Sequence, residues 1–174
     1  MVELLDPTLD RTIIKPQVFY YQPEDIKMDD RGYGIYNVYA PLDRNNIYFD
    51  KNSGQSNESK TAFGVKRAWH LHKLQTDCMR VSHGNAKIVV FRLDGSGRRT
   101  KSELLELNWY LEYYIGDLKP GIVVIPPGWY HGFTPLYNKP CVLNYYVSHI
   151  YNPTKPDEHP IPYDQYPFLE VENR

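Results

Sequence analysis

GVKRAWHLHKLQTD, at residues 64–77, and GIVVIPPGWYHGF, at residues 121–133, decide how this chain reads. In the first, His70 and His72 are two positions apart. On a strand such side chains leave from the same face and can converge on one object. In the second, the apolar run 121–125 is too short for a helix and reads as a buried strand. The turn Pro126, Pro127, Gly128 ends that strand and delivers His131 onto the next one.

Working outward, β-rich runs bounded by turn residues lie at 12–21, 34–39, 63–72, 79–82, 87–93, 121–125 and 141–147. The chain carries 16 Tyr and 14 Pro. Aromatic residues favour strands and Pro breaks helices, so long helices are not expected. Short ones are: a turn at 23–28, and a helix at 102–107 with Ser102 as N-cap. Many short strands at close spacing point to a sandwich or barrel. The polar run 45–60 reads as a loop feeding the first motif. The tail 152–174, rich in Pro and Tyr, cannot be regular helix or central strand, and is expected to wrap the surface or close a pocket.

At 174 residues the chain has the length of one domain, 1–174, able to bury a sizeable core. Hydrophobic residues at 41% and charged residues at 24% describe an ordinary globular protein. A formal net charge of -1 offers no excess of cations for a nucleic acid or an anionic membrane. The first dozen residues have no leader pattern and no stretch approaches a membrane span, so a cytoplasmic protein is expected. Cys78 and Cys141 are far apart, lack a CxxC partner and read as reduced thiols.

The positions of Gly64, His70, His72, Asp77 and Gly84, then Gly121, Gly128 and His131, resemble the two halves of the cupin signature, with Asp77 where that signature has Glu. The resemblance implies an all-β, cupin-type jelly-roll barrel (double-stranded β-helix) with short peripheral helices. A finer likeness runs along most of the chain. Asp29, Arg31, Gly32 and Tyr33, then Gln55, Asn57 and Ser59, then Gly64, Val65, Arg67 and His70 resemble successive motifs of the dTDP-4-dehydrorhamnose 3,5-epimerase family. IPPGWYHGF, the strand with Tyr145 leading to Tyr151, and the IPYDQ segment with Asp164 continue it.

That resemblance implies proton abstraction beside the ketone of a nucleotide-diphosphate 4-keto-6-deoxy sugar, without a cofactor. His70 is then the base, Asp164 its orienting carboxylate and Tyr151 the acid. Arg31 and Arg67 would meet the diphosphate, Gln55 and Asn57 the sugar or base, and His131 and Tyr145 the rest of the substrate. It also implies a homodimer in which the N-terminal strands lie at the interface and lend Arg31 to the neighbour's site. The physical logic stands beside the name. An imidazole titrates near neutral pH, a paired carboxylate fixes its tautomer, and a Tyr with a pKa of about 10 is protonated and can donate.

Asp77 departs from the family, which has a Lys near that place; an anion there opposes an enolate. Two other classes therefore stay open. His70, His72, Asp77 and His131 are residue types and spacings that suit one divalent transition metal and metal-assisted chemistry. Alternatively the pocket binds a sugar nucleotide without catalysis. Each residue alone also has a bland role: a hydrogen-bonded strand histidine, a barrel-face ion pair, one packing Tyr among many.

Overall fold

β6 (Asp77–His83) and β7 (Asn85–Phe91) turn on Gly84 and belong to two different sheets, which makes this corner the hinge of the architecture. The computed structural model describes residues 14–30, 32–35, 42, 45 and 54–171. Before the corner come β1 (Gln17–Tyr20), β2 (Ile26–Asp29), β3 (Gly32–Ile35), β4 (Gln55–Thr61) and β5 (Arg67–His70). After it come α1 (Lys101–Glu106), β8 (Tyr110–Gly116), β9 (Gly121–Ile125), β10 (Tyr130–Pro135) and β11 (Cys141–Val147).

One sheet has the order β1-β9-β6-β11-β4 and the facing sheet β5-β10-β7-β8, while β2 and β3 form a separate hairpin. Every pairing is antiparallel. Met79, Val81, Val123, Ile125 and Leu143 from the first sheet pack on Ile88, Val90, Ile115 and Phe133 from the second. This two-layer, strand-swapped arrangement is the expected jelly roll.

β7, NAKIVVF, is buried almost throughout because both of its faces are covered. Ile88 and Val90 look into the intersheet core, whereas Val89 and Phe91 look outward to Leu104 of α1 and to Tyr166 and Leu169 of the tail. A strand covered on both sides reads as a continuous apolar run. β4, QSNESKT, is the opposite case. Gln55, Asn57 and Ser59 turn partly inward and Ser56, Glu58 and Lys60 outward, so the alternation is real but polar in both phases. The last six residues of the run expected to be a loop, 55–60, therefore belong to a strand, held by its register with β11 from Cys141↔Thr61 to Val147↔Gln55.

The helix begins two residues earlier than Ser102 as N-cap would have it. Thr100 is the N-cap, its hydroxyl accepting from the Glu103 N–H while the Glu103 carboxylate accepts from the Thr100 N–H. This reciprocal capping box satisfies two end donors, which Ser102 inside the first turn cannot do. Around the helix start, Arg99 pairs with Asp94 at 2.5 Å and Lys101 with Glu112 at 2.6 Å, so those charges are met locally. Cys78 and Cys141 are buried free thiols. Among the described residues no helix is long and apolar enough to cross a membrane.

The tail follows β5 before leaving it. Ile161 and Trp69 exchange backbone hydrogen bonds at 3.3 Å, and the His159 N–H donates to the Leu71 carbonyl at 2.9 Å. On β5, alternation sends Trp69 outward under the tail and His70 inward.

Gly132 controls how closely β10 approaches β5. A Cβ there would lie 2.6 Å from Ala68 Cβ and 2.7 Å from the Arg67 carbonyl oxygen, and the register of the two strands shifts at this point. Gly132→Ala should therefore force the strands apart, destabilising the protein by about 1–3 kcal/mol. A urea titration checks this; an unchanged midpoint would show that the contact relaxes freely.

Candidate active site

Between the sheets opens a cavity of about 620 Å³. Its first wall is built by register. Gln55, Val147 and Asp77 stand in one row across β4, β11 and β6, and Asn57, Tyr145 and Met79 in the next. All six line the cavity. The second wall comes from the opposing sheet, where His70 of β5 stands directly across from His131 of β10. The third wall is the tail, which contributes Tyr151, Asp157 and Glu158.

Exposure falls along the histidines from mouth to floor. The His70 side chain is 41% accessible, His72 13% and His131 3%. Their rings form a chain, with centroids 6.0 Å apart for His70 and His131 and 5.4 Å for His72 and His131. His70 and His72 both line the cavity, but the strand expected to carry both ends at His70, and His72 follows in the connection after it. Asp77 lies at the floor, its Oδ2 3.2 Å from His131 Nε2 and 3.7 Å from His72 Nε2.

His70 Nδ1 meets the carboxylate Oε1 of Glu158 at 2.5 Å. Burial and the nearby His131 lower the pKa of His70 below its ordinary value, outweighing the opposing pull of Glu158. The ring is thereby neutral at pH 7, the state a base needs. Burial alone would raise the Asp77 carboxyl. The hydrogen bond from His131 and the charges of His131 and His72 outweigh it and hold Asp77 below its usual range. Burial raises the Tyr145 phenol, which stays protonated.

Asp157 is the clamp that brings the tail here. Its carboxylate accepts from the backbone N–H groups of Lys73, Leu74 and Gln75 at 3.0, 2.9 and 2.9 Å. Its own carbonyl accepts from His72 Nδ1. With Asp157 fixed on the 73–75 loop, the next residue, Glu158, reaches His70.

Of the residues singled out from sequence, Gln55, Asn57, Arg67, His70, His131, Tyr145 and Tyr151 all line this cavity. Gln55 ties two of them together, donating to Asn57 Oδ1 at 2.6 Å and accepting from the Tyr151 backbone N–H at 2.9 Å. Arg67 donates from Nε to Thr61 Oγ1 at 2.9 Å. Arg31 lies outside the described residues.

Asp164 is a correction. It is exposed in a 3-10 turn (Tyr163–Gln165) and does not line the cavity. Past Ile161 the tail crosses to the outer side of β5, where Tyr163, Tyr166 and Phe168 pack around Trp69, the neighbour that points away from His70. The carboxylate that meets His70 is Glu158, and its sequence signal was the acidic pair Asp157-Glu158 in a Pro-bounded turn.

The four-residue metal set also changes. His72, Asp77 and His131 bring one ligand atom each within 4.8 Å of one another, and His70 is not among them. Its Nδ1 is engaged by Glu158 instead. Lys155 and His149 also line the cavity and were not singled out from the sequence.

No protein-family model matches the chain. Over 136 residues, 78% of this chain and 82% of the relative, it is 34% identical to the spore coat polysaccharide biosynthesis protein SpsL of Bacillus subtilis. Over 107 residues, 61% of this chain and 64% of the relative, it is 32% identical to the probable low-salt glycan biosynthesis epimerase Agl13 of Haloferax volcanii. The dTDP-4-dehydrorhamnose 3,5-epimerase of Sulfolobus tokodaii shares the fold, with a TM-score of 0.65 at 22% identity over 90% of this chain and 82% of that one. With a relative matched along four-fifths of its length, a shared barrel and the motifs of its first strands, this chain belongs to the dTDP-4-dehydrorhamnose 3,5-epimerase-like family.

Proposed function

We propose that the protein is an isomerase that epimerises a nucleotide-diphosphate 4-keto-6-deoxy sugar. The observation that carries this reading is the His70–Glu158 contact of 2.5 Å at the wall of a cavity large enough for a sugar. His70 Nε2 removes the proton from the carbon beside the C4 ketone, and the electron pair moves into the carbonyl as an enolate. Glu158 holds the Nδ1 proton and stabilises the imidazolium that forms. Tyr151, tethered to Gln55 on the opposing sheet, returns a proton from the other face. His70 and the tyrosinate then exchange their protons with solvent, so the cycle closes without a redox partner.

The substrate's diphosphate fits Arg67 and Lys155 at the cavity lining, and charge-assisted hydrogen bonds from such groups are the strong ones. Arg31, by its motif, would be supplied by the neighbouring subunit of a homodimer. We place the reaction in the cytoplasm, in the synthesis of deoxysugar-containing polysaccharide. The named roles of SpsL and Agl13 in polysaccharide and glycan biosynthesis support that assignment.

The test is incubation in heavy water with 4-keto-6-deoxyhexoses carried on dTDP, UDP, GDP and CDP, following C3 and C5 by proton NMR. Loss of a C3 or C5 signal with one of them is the expected result. Tight nucleotide-sugar binding without any exchange would instead make this a non-catalytic binding cupin.

A further inference from the structure

A second cavity, of about 600 Å³, opens on the outer side of the β7–β8 pair and shares no lining residue with the active site. Strand alternation decides what it contains. With Ile88 and Val90 turned into the core, Lys87 turns outward. Its partner across the ladder on β8 is Tyr114, and Glu112 is the next residue of β8 on the same face. The tail closes one side with Phe168 and Glu170, and the turn after β10 closes another with Tyr137.

The Lys87 side chain is 8% accessible, and a lysine so buried requires partners. Its Nζ lies 3.3 Å from Glu112 Oε1 and donates to the Glu170 carbonyl at 3.2 Å. The third N–H has no acceptor among the described residues. Glu112 also accepts from Lys101 Nζ at 2.6 Å and from the Tyr114 hydroxyl at 2.8 Å. Burial alone would raise the Glu112 carboxyl; hydrogen bonds from Lys101, Tyr110 and Tyr114 outweigh it and hold the pKa down at about 2. The Glu170 carboxylate is taken by Lys66 at 2.6 Å. Two lysines and two carboxylates therefore line the cavity, and neither sign is in excess.

Tyr137 supplies an independent observation. Its φ is 58° and that of the following Asn138 is 55°, in the left-handed region where a Cβ is penalised and Gly is favoured. Packing does not offset this strain, because the Tyr137 side stays 60% accessible while it lines the cavity. Tyr114 is likewise 47% accessible. A strained backbone that presents an uncovered ring to a cavity is a feature of ligand sites rather than of cores.

We propose that this cavity binds a neutral saccharide, at a site separate from the catalytic cavity and independent of the epimerase reading. An anion would need an uncompensated cation, which the paired lysines do not provide. A purely apolar ligand would take Lys87 and Glu112 further from water without new hydrogen bonds. A sugar hydroxyl both donates and accepts. One sugar ring can thus accept the spare Lys87 N–H and donate to Glu112 Oε2, which has Tyr114 as its one donor among the described residues. The C–H faces of the sugar pack on the phenol rings of Tyr137 and Tyr114.

Full-length protein is titrated calorimetrically with maltotriose, mannotriose and rhamnotriose. Saturable binding of at least one of them, one per chain, is expected. Tyr137→Gly relieves the backbone and removes the ring, so it should weaken binding about tenfold while its urea midpoint holds or rises. Lys87→Met should weaken binding too, with circular dichroism checking its fold. His70→Ala, altered in the other cavity, should bind the trisaccharide as the wild type does. No binding of any of the three, undiminished binding in Tyr137→Gly, or loss of binding in His70→Ala overturns the site. A lower urea midpoint for Tyr137→Gly would give the ring a packing role and also overturn it, as would displacement of the trisaccharide by inorganic phosphate, the mark of an anion site.

Discussion

His70→Ala is expected to lower the rate of substrate proton exchange by about 10²–10⁴-fold, the usual contribution of a positioned base, while the variant folds and still binds the nucleotide sugar. The fold should tolerate the change because the His70 ring is 41% accessible and packs on the cavity rather than in the core. The loss should fall on kcat, since in the proposed reaction the ring meets the reacting carbon and not the diphosphate. Glu158→Gln keeps an oxygen that can accept from Nδ1 but removes the charge opposite the imidazolium, so a smaller loss of roughly tenfold, about 1.4 kcal/mol, is expected. Asp164→Asn should leave the rate within about twofold, as surface changes away from such features do little. Exchange followed by NMR in heavy water ranks the three. A deep loss in Asp164→Asn with none in Glu158→Gln would return the orienting role to the tail's later carboxylate.

The contrast between those two carboxylates marks where the sequence stops being legible. Strands with an apolar phase were readable: 121–125 and 141–147 coincide with β9 and β11, because burial on at least one face writes a hydrophobic pattern. β4 was not, since its inward residues are polar groups reserved for the cavity, and a polar strand looks like a loop. β8, YLEYYIG, holds its Glu112 in ion pairs with Lys87 and Lys101, so its charge interrupts the pattern without interrupting the strand. The inward sides of His70 and His131 follow from strand alternation plus one turn, whereas His72, past the end of β5, is held toward the cavity by the Asp157 carbonyl. Which acidic residue of an irregular tail reaches His70 depends on where that tail is pinned, and the pins are three backbone N–H groups on Asp157. Backbone donors carry no residue identity, so no motif announces them.

The same tail sets the largest expected change in stability. Trp69 is fully buried, packs edge-on to Phe91 with centroids 4.9 Å apart, stacks at 6.0 Å on Tyr163, and donates from its indole N–H to the Tyr166 carbonyl at 3.0 Å. Trp69→Ala removes that ring from the middle of the cluster joining β5, β7, α1 and the tail. The expected cost is about 3–5 kcal/mol, the range for deleting a large aromatic from a core. The orphaned Tyr166 carbonyl adds about 1 kcal/mol or more unless water reaches it. A urea titration should show the midpoint falling with the slope unchanged. Because the tail is pinned on both sides of Glu158, by Asp157 before it and by the Trp69–Ile161 pairing after it, the folded fraction should also lose part of its exchange rate. Trp69→Phe, which keeps a ring but not the N–H, should recover most of the stability. If Trp69→Ala unfolded at the wild-type midpoint, the outer cluster would not be what fastens the tail, and the position of Glu158 beside His70 would need another cause.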